Sequence, residues 1–327
     1  MSMLAPALNI LRPQSVADAI AARRQHKSSR YLAGGTDLVV NMRHGLSKPD
    51  LLIDLSAVDE LAEIRVDDGK VRIGAGVTIA ALARHSVIAT DYRAVKEAAE
   101  AIAGPGHRAI GTLGGNLCLD TRCIYYNQSE WWRRANSYCL KYRGDVCHVA
   151  PQGQRCHAAF TGDLAPSLMV LGAEVEIAGA EGRRRIPLSD LYIEDGRDHL
   201  AISGEDILIA VHVPAASMRS TYAKVRVRDA IDYPLAGVAV AMTMTDGVLR
   251  SLQIGLTGTN SRPFLLAGTE PLVGRAIDAD ALREIDRLVQ KQVQPMRTTV
   301  SSAQYRRLAA AALACRLVQS LASETNA

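Results

Sequence analysis

Five of the six cysteines in this chain, Cys118, Cys123, Cys139, Cys147 and Cys156, crowd into residues 117–160. Both tryptophans and half of the aromatic residues fall in the same stretch. Four thiolates can cage a 4Fe–4S cluster, and they can also hold a structural zinc ion. Zinc sites usually arrive as paired Cys-x-x-Cys knuckles, and none exists here. Gaps of fifteen, seven and eight residues separate Cys123, Cys139, Cys147 and Cys156, a spacing that suits a loop wrapped around a larger object. Spacing alone favours metal over unligated thiols and a cluster over zinc, and it leaves all three open. Cys315 lies in an alanine-rich stretch and reads as a small apolar core residue.

A cluster needs charge balance and shielding from water. Arg133, Arg134, Lys141, Arg143 and Arg155 could offset the charge of thiolate and sulfide and raise the potential. Trp131, Trp132, Tyr125, Tyr126, Tyr138 and Tyr142 could exclude solvent, or they could be the ordinary core of a small insert.

Two glycine turns offer a second chemistry. Gly34-Gly35-Thr36-Asp37 follows a short apolar strand and precedes a helix, and Thr112-Leu113-Gly114-Gly115-Asn116 is a loop of the same kind. Glycine permits positive φ and lets backbone amides approach an anion closely. Successive amides at such a turn suit a pyrophosphate. Neither loop is a Gly-x-Gly-x-x-Gly fingerprint or a phosphate loop. Each alone also fits a plain strand-to-helix connection.

The elements around these residues alternate at first. Ser15 can cap a helix that begins at Val16. Strands are expected at residues 31–33 and 51–55, and a hairpin through Asp68-Gly69 joins 64–66 to 71–73. Helices follow near 79–85 and 92–102. Residues 117–160 show no clear period, and so many cysteines and aromatics argue against disorder. Beyond Asp163 the pattern returns to a hairpin at 175–178 and 184–187, then a strand at 207–213 ended by Pro214. A domain boundary is expected near residues 215–220. The last third reads as a small α/β unit, with strands 237–245 and 248–257 joined at Asp246-Gly247 and helices at 279–291 and 301–321.

The 327 residues are 48% hydrophobic, ample for more than one core. A net charge of +4, from 38 basic and 34 acidic side chains, is too small and scattered to point to nucleic acid. The longest apolar run, residues 235–244, is the length of a strand and not of a membrane span. The first ten residues show no leader pattern, so a cytoplasmic protein with reduced thiols is expected.

Taken together, the loops are specific. Ala33-Gly34-Gly35-Thr36-Asp37-Leu38 and Thr112-Leu113-Gly114-Gly115-Asn116 stand about eighty residues apart. Asp163-Leu164-Ala165-Pro166-Ser167-Leu168 and Tyr222-Ala223-Lys224 follow in order. This series resembles the FAD-binding subunits of the xanthine dehydrogenase and carbon monoxide dehydrogenase family, along essentially the whole chain. The resemblance implies an α+β fold. A PCMH-type FAD-binding domain of two subdomains would span residues 1–216, with a cysteine-rich insert at about 117–160. A carboxy-terminal domain of the carbon monoxide dehydrogenase flavoprotein type would span 217–327. It further implies FAD in an extended form. Ala33, Gly34, Gly35, Thr36, Asp37 and Leu38, with Thr112, Gly114 and Gly115, would hold the pyrophosphate. Asn116 and Asp163 would lie near the ribityl chain and flavin, and Lys224 near the isoalloxazine. As a residue, Lys224 reads equally well as a solvated strand position.

The connection from Asn116 to Asp163 is long for that family. Its segments Gly115-Asn116-Leu117-Cys118-Leu119-Asp120-Thr121-Arg122-Cys123, Tyr126-Asn127-Gln128-Ser129-Glu130-Trp131-Trp132-Arg133 and Tyr138-Cys139-Leu140-Lys141 resemble one branch, the flavoprotein subunits of 4-hydroxybenzoyl-CoA reductases. That resemblance implies a 4Fe–4S cluster on Cys123, Cys139, Cys147 and Cys156, with Cys118 packing near the flavin loop. It implies a large molybdenum subunit, a small subunit with two 2Fe–2S clusters, and reduced ferredoxin as donor; the modest basic surface around Arg133 to Arg143 could dock an acidic ferredoxin. Three alternatives remain open. They are an oxidative flavin subunit of the xanthine or carbon monoxide dehydrogenase type, a zinc-stabilised interaction module, and a stand-alone flavin oxidoreductase. The last lacks an acid–base constellation of its own.

Overall fold

The computed structural model describes residues 8–324. The first seven residues of the stretch read for a leader lie outside them. The chain builds three sheets, each with its own helical cover.

The first unit is small. β1 (Asn9–Leu11), α1 (Val16–Gln25), β2 (Ser29–Leu32), α2 (Leu38–Arg43) and β3 (Leu51–Asp54) form a parallel sheet in the order β1-β3-β2. Ser15 caps α1 as expected, its side chain accepting from the Asp18 amide at 3.1 Å.

The second unit starts with the hairpin β4 (Ile64–Asp67) and β5 (Lys70–Gly74). The helices expected near 79–85 and 92–102 are α3 (Ile79–Arg84) and α5 (Arg93–Ala101), and a further short helix, α4 (Ser86–Asp91), lies between them. His85 leaves the helical region at ψ 127° and breaks the run. Then come α6 (Pro105–Ile110), α7 (Leu113–Leu117), α8 (Glu130–Ala135) and α9 (Leu164–Met169). The stretch 117–160 therefore holds one helix where no regular element was expected. At six residues α8 is too short to show a period, and Ser129 starts it by accepting from the Trp132 amide at 3.3 Å. β6 (Glu174–Gly179), β7 (Gly182–Pro187) and β8 (Ile207–Val213) complete an antiparallel five-stranded sheet, β4-β5-β8-β6-β7.

The third unit is an antiparallel sheet of β9 (Arg219–Val225), β10 (Ala236–Thr245), β11 (Val248–Thr257) and β12 (Phe264–Leu265). It carries α10 (Ala279–Gln292) and α11 (Ala303–Ser323). β10 is apolar almost throughout because both of its faces are buried. Val238, Val240 and Met242 pack with α10 and α11, while Ala239 and Ala241 join the core of the second unit. That shared strand welds the last unit to the rest. Among the described residues no helix is long and apolar enough to cross a membrane.

Candidate functional site

The first glycine turn leaves β2 and enters α2. Gly35 sits at φ 71°, a left-handed conformation that suits glycine. Gly34 packs against Ile110 and Gly111, which lead into the second loop, and a Cβ there would overlap the Ile110 carbonyl oxygen. The amides of Gly34, Gly35 and Thr36 donate to no group among the described residues.

The second loop is braced from both sides. Thr112 Oγ1 accepts from the Gly115 amide at 3.1 Å, and the Gly114 amide donates to the Ala75 carbonyl at 2.8 Å. Asn116 Oδ1 accepts from the Leu164 amide at 3.1 Å, which ties this loop to the Asp163 motif. Asp163 in turn accepts from Tyr222 Oη at 2.6 Å and pairs with Lys224 Nζ at 2.9 Å. Burial pushes the Asp163 carboxyl up, and the Lys224 charge opposes that. The Lys224 side chain is only 3% exposed, so the solvated alternative for it does not hold. Ala33 to Leu38, Thr112 to Asn116, Asp163 and Lys224 thus form one continuous line from the first sheet to the third.

Thr161 lies two residues before Asp163, and its buried hydroxyl has no hydrogen-bond partner among the described residues. Unspent amides at one turn, a second turn in contact with it and an orphaned hydroxyl nearby fit an extended, anionic dinucleotide such as FAD.

Cys123, Cys139, Cys147 and Cys156 line a single cavity, and all four are buried. The insert closes at its base through paired backbone bonds between Arg122 and Ala159, both 2.8 Å. A tight turn with positive φ at Ser137, Tyr138 and Arg143 bends the chain around Cys139. The Cys123 amide is held by Asn127 Oδ1 at 2.9 Å, and the Cys156 amide by Asp195 Oδ1 at 3.2 Å. Burial pushes the Cys123 thiol up to about 11. A hydrogen bond with Cys156, helped by nearby amides, pulls Cys147 down to about 5 and pushes Cys156 up. Among the described residues no three cysteine, histidine or carboxylate groups converge on a point that would hold one metal ion. Four cysteines lining one buried cavity are a donor set that fits an iron–sulfur cluster.

The other two cysteines lie elsewhere. Cys118 packs against the main core, where burial pushes its thiol to about 12. Cys315 on α11 donates to the Leu282 carbonyl at 3.3 Å.

Several expectations for the insert need correction. Trp131 is 70% exposed and shields nothing. The Arg133 side chain is fully buried, and its Nη2 is held by the His44 carbonyl and Glu130. Arg155 is engaged by Glu194 at 3.3 Å. The basic surface expected at 133–143 therefore shrinks to Arg134 and Arg143, because Lys141 is buried too.

Two residues went unforeseen. Arg122 Nη1 pairs with Asp37 Oδ1 at 2.8 Å, and its guanidinium lies 4.5 Å from the centre of the Tyr233 ring. Arg122 was hidden inside the cysteine segment. Tyr233 sits in an irregular loop, and no local pattern announces either contact.

A family profile described as the FAD binding domain in molybdopterin dehydrogenase matches residues 6–216, and one described as the CO dehydrogenase flavoprotein C-terminal domain matches 220–321. Over 312 residues the chain is 30% identical to the carbon monoxide dehydrogenase medium chain of Afipia carboxidovorans, covering 94% of each. It is 30% identical over 279 residues to the aldehyde oxidoreductase FAD-binding subunit PaoB of Escherichia coli (strain K12), covering 82% of this chain and 86% of that one. In structure it is similar to a chain of the cyanide-inactivated Cu,Mo-CO dehydrogenase, with a TM-score of 0.80 and 27% identity over 98% of this chain and 99% of that one.

Proposed function

The chain belongs to the FAD-binding subunits of the molybdenum hydroxylase family, and on that footing we propose that it is the flavin and iron–sulfur subunit of a 4-hydroxybenzoyl-CoA reductase. Its fold is an FAD-binding domain followed by a carbon monoxide dehydrogenase flavoprotein C-terminal domain. The observation that carries the finer assignment is the convergence of Cys123, Cys139, Cys147 and Cys156 on one buried cavity.

Ala33 to Leu38 and Thr112 to Gly115 would hold the FAD pyrophosphate through backbone amides. Asn116, Asp163 and Lys224 would lie along the ribityl chain and flavin. The four cysteines would ligate a 4Fe–4S cluster. Bound there, the two groups would supply one-electron and two-electron carriers between reduced ferredoxin and the molybdenum subunit. The substrate reaction, on that partner, takes two electrons and two protons. It breaks the phenolic C–O bond, forms a C–H bond and releases water, giving benzoyl-CoA. The chain's own residues hold and insulate. Lys224 and Tyr222 fix Asp163, and Arg122 ties the cysteine segment to the first glycine turn. The partners are then a large molybdenum subunit and a small subunit with two 2Fe–2S clusters, in the cytoplasm.

A second reading, an oxidative flavin subunit, is favoured by the names of the relatives, carbon monoxide dehydrogenase and aldehyde oxidoreductase. Donor assays on the purified complex separate the two. Turnover of 4-hydroxybenzoyl-CoA with reduced ferredoxin is expected. Efficient exchange with NAD and none with ferredoxin would overturn the reductive assignment.

A further inference from the structure

Six lysines and arginines lie in the cysteine segment, and of them Lys141 alone lines the cavity of the four cysteines. Arg122 is engaged by Asp37, Arg133 and Arg143 by Glu130, and Arg155 by Glu194, while Arg134 is exposed. Lys141 instead forms part of the wall of the cavity that Cys123, Cys139, Cys147 and Cys156 line. Its side chain is only 5% exposed.

Four contacts fix the ammonium. Nζ donates to Asp120 Oδ1 at 2.6 Å, to the Thr121 carbonyl at 3.0 Å and to the Thr121 hydroxyl. It also stands 4.4 Å from the centre of the Tyr126 ring, another wall residue. Asp120 is not part of that wall. The Lys141 side chain forms part of the wall, its ammonium is held beside Asp120 and Thr121, and its charge reaches Cys156. So little exposure means weak screening by water, and a fixed charge there acts strongly on its neighbours.

Resting on the cluster assignment above, we propose that Lys141 sets the reduction potential of the iron–sulfur cluster and that Asp120 trims its effect. The reduced cluster carries one more negative charge than the oxidised one, with no proton needed to balance it. A held cation at the cavity wall stabilises that extra charge and raises the potential. Lys141 is a positioning charge and not a ligand.

The test is a potentiometric titration of the intact complex, prepared without oxygen and followed by the electron paramagnetic resonance of the reduced cluster. Iron and FAD are assayed in the same samples. Lys141→Met should keep iron and FAD and shift the midpoint to a more negative value, and Lys141→Arg should restore most of it. Asp120→Asn should shift it the opposite way. A Lys141→Met protein with full iron and the parent's potential would overturn the proposal. Should Lys141→Met lose its iron, Asp120→Asn decides: an unchanged potential there overturns it as well. An iron-free parent would sink the cluster assignment itself, and this proposal with it, before any variant is compared.

Discussion

Arg122 Nη1 stands 2.8 Å from Asp37 Oδ1, so the residue before Cys123 grips the residue that closes the first glycine turn. The insert also reaches the end of α2 through Tyr142 Oη, which donates to the Gly45 carbonyl at 3.0 Å, and through Arg133 Nη2, which donates to the His44 carbonyl at 3.0 Å. Three bonds thus seat the cysteine segment on the helix that follows the first glycine turn.

Arg122→Met should loosen that seat. Burial already pushes the Asp37 carboxyl up, and Arg122 is the main counter-charge. The pair keeps some water contact, so its loss should cost about 1–3 kcal/mol and not the full penalty of a buried orphan charge. FAD affinity should fall about tenfold. Thermal unfolding and a flavin fluorescence titration check both, and unchanged values would remove Arg122 from the site.

Gly34→Ala should separate the two turns. The added methyl has no room against the Ile110 carbonyl. We expect FAD binding weakened at least about tenfold, with the cluster iron retained. A variant that purifies fully yellow would show that the turns need not touch.

Lys224→Met should be worse than the paired change. Lys224 and Asp163 are both almost wholly buried. Removing the cation strands a carboxylate, a loss of about 3–5 kcal/mol. Adding Asp163→Asn should recover much of it. Urea unfolding of the two single variants and the double one measures the coupling, and strict additivity would contradict a direct pair.

His199 should make the fold acid-sensitive. Burial, with the nearby Lys141 charge, lowers its pKa from 6.5 to about 4. Over that interval the unfolded chain binds a proton that the folded chain refuses, so stability falls as pH drops. The contribution is whole above about 6.5 and gone near 4, up to about 3 kcal/mol. Thermal midpoints measured across that window should fall less steeply for His199→Gln than for the parent.

Local signals in the sequence were reliable where one face or one turn decides. Ser15, Asp68-Gly69 and Asp246-Gly247 marked a cap and two hairpins, and β8 runs over residues 207–213 as its apolar run suggested. The glycine turns and the cysteine segment could also be picked out, because their residue types are unusual. What could not be read is which charges meet. Six cations in the insert look alike as letters, yet Arg122 turns to Asp37, Arg133 to the end of α2, Arg155 to Glu194 and Lys141 to the cavity wall. Those choices depend on chain segments tens of residues away. The short helices α4 and α8 escape a sequence reading for a different reason, since elements of six residues carry too little period to see.

The most direct measurement is the iron, zinc and FAD content of the protein prepared without oxygen, alone and as Cys139→Ser. One FAD and about four iron atoms per chain are predicted for the parent, with FAD kept and iron lost in the variant. FAD without iron in the parent, a single zinc ion in its place, or full iron in the Cys139→Ser protein would contradict the account.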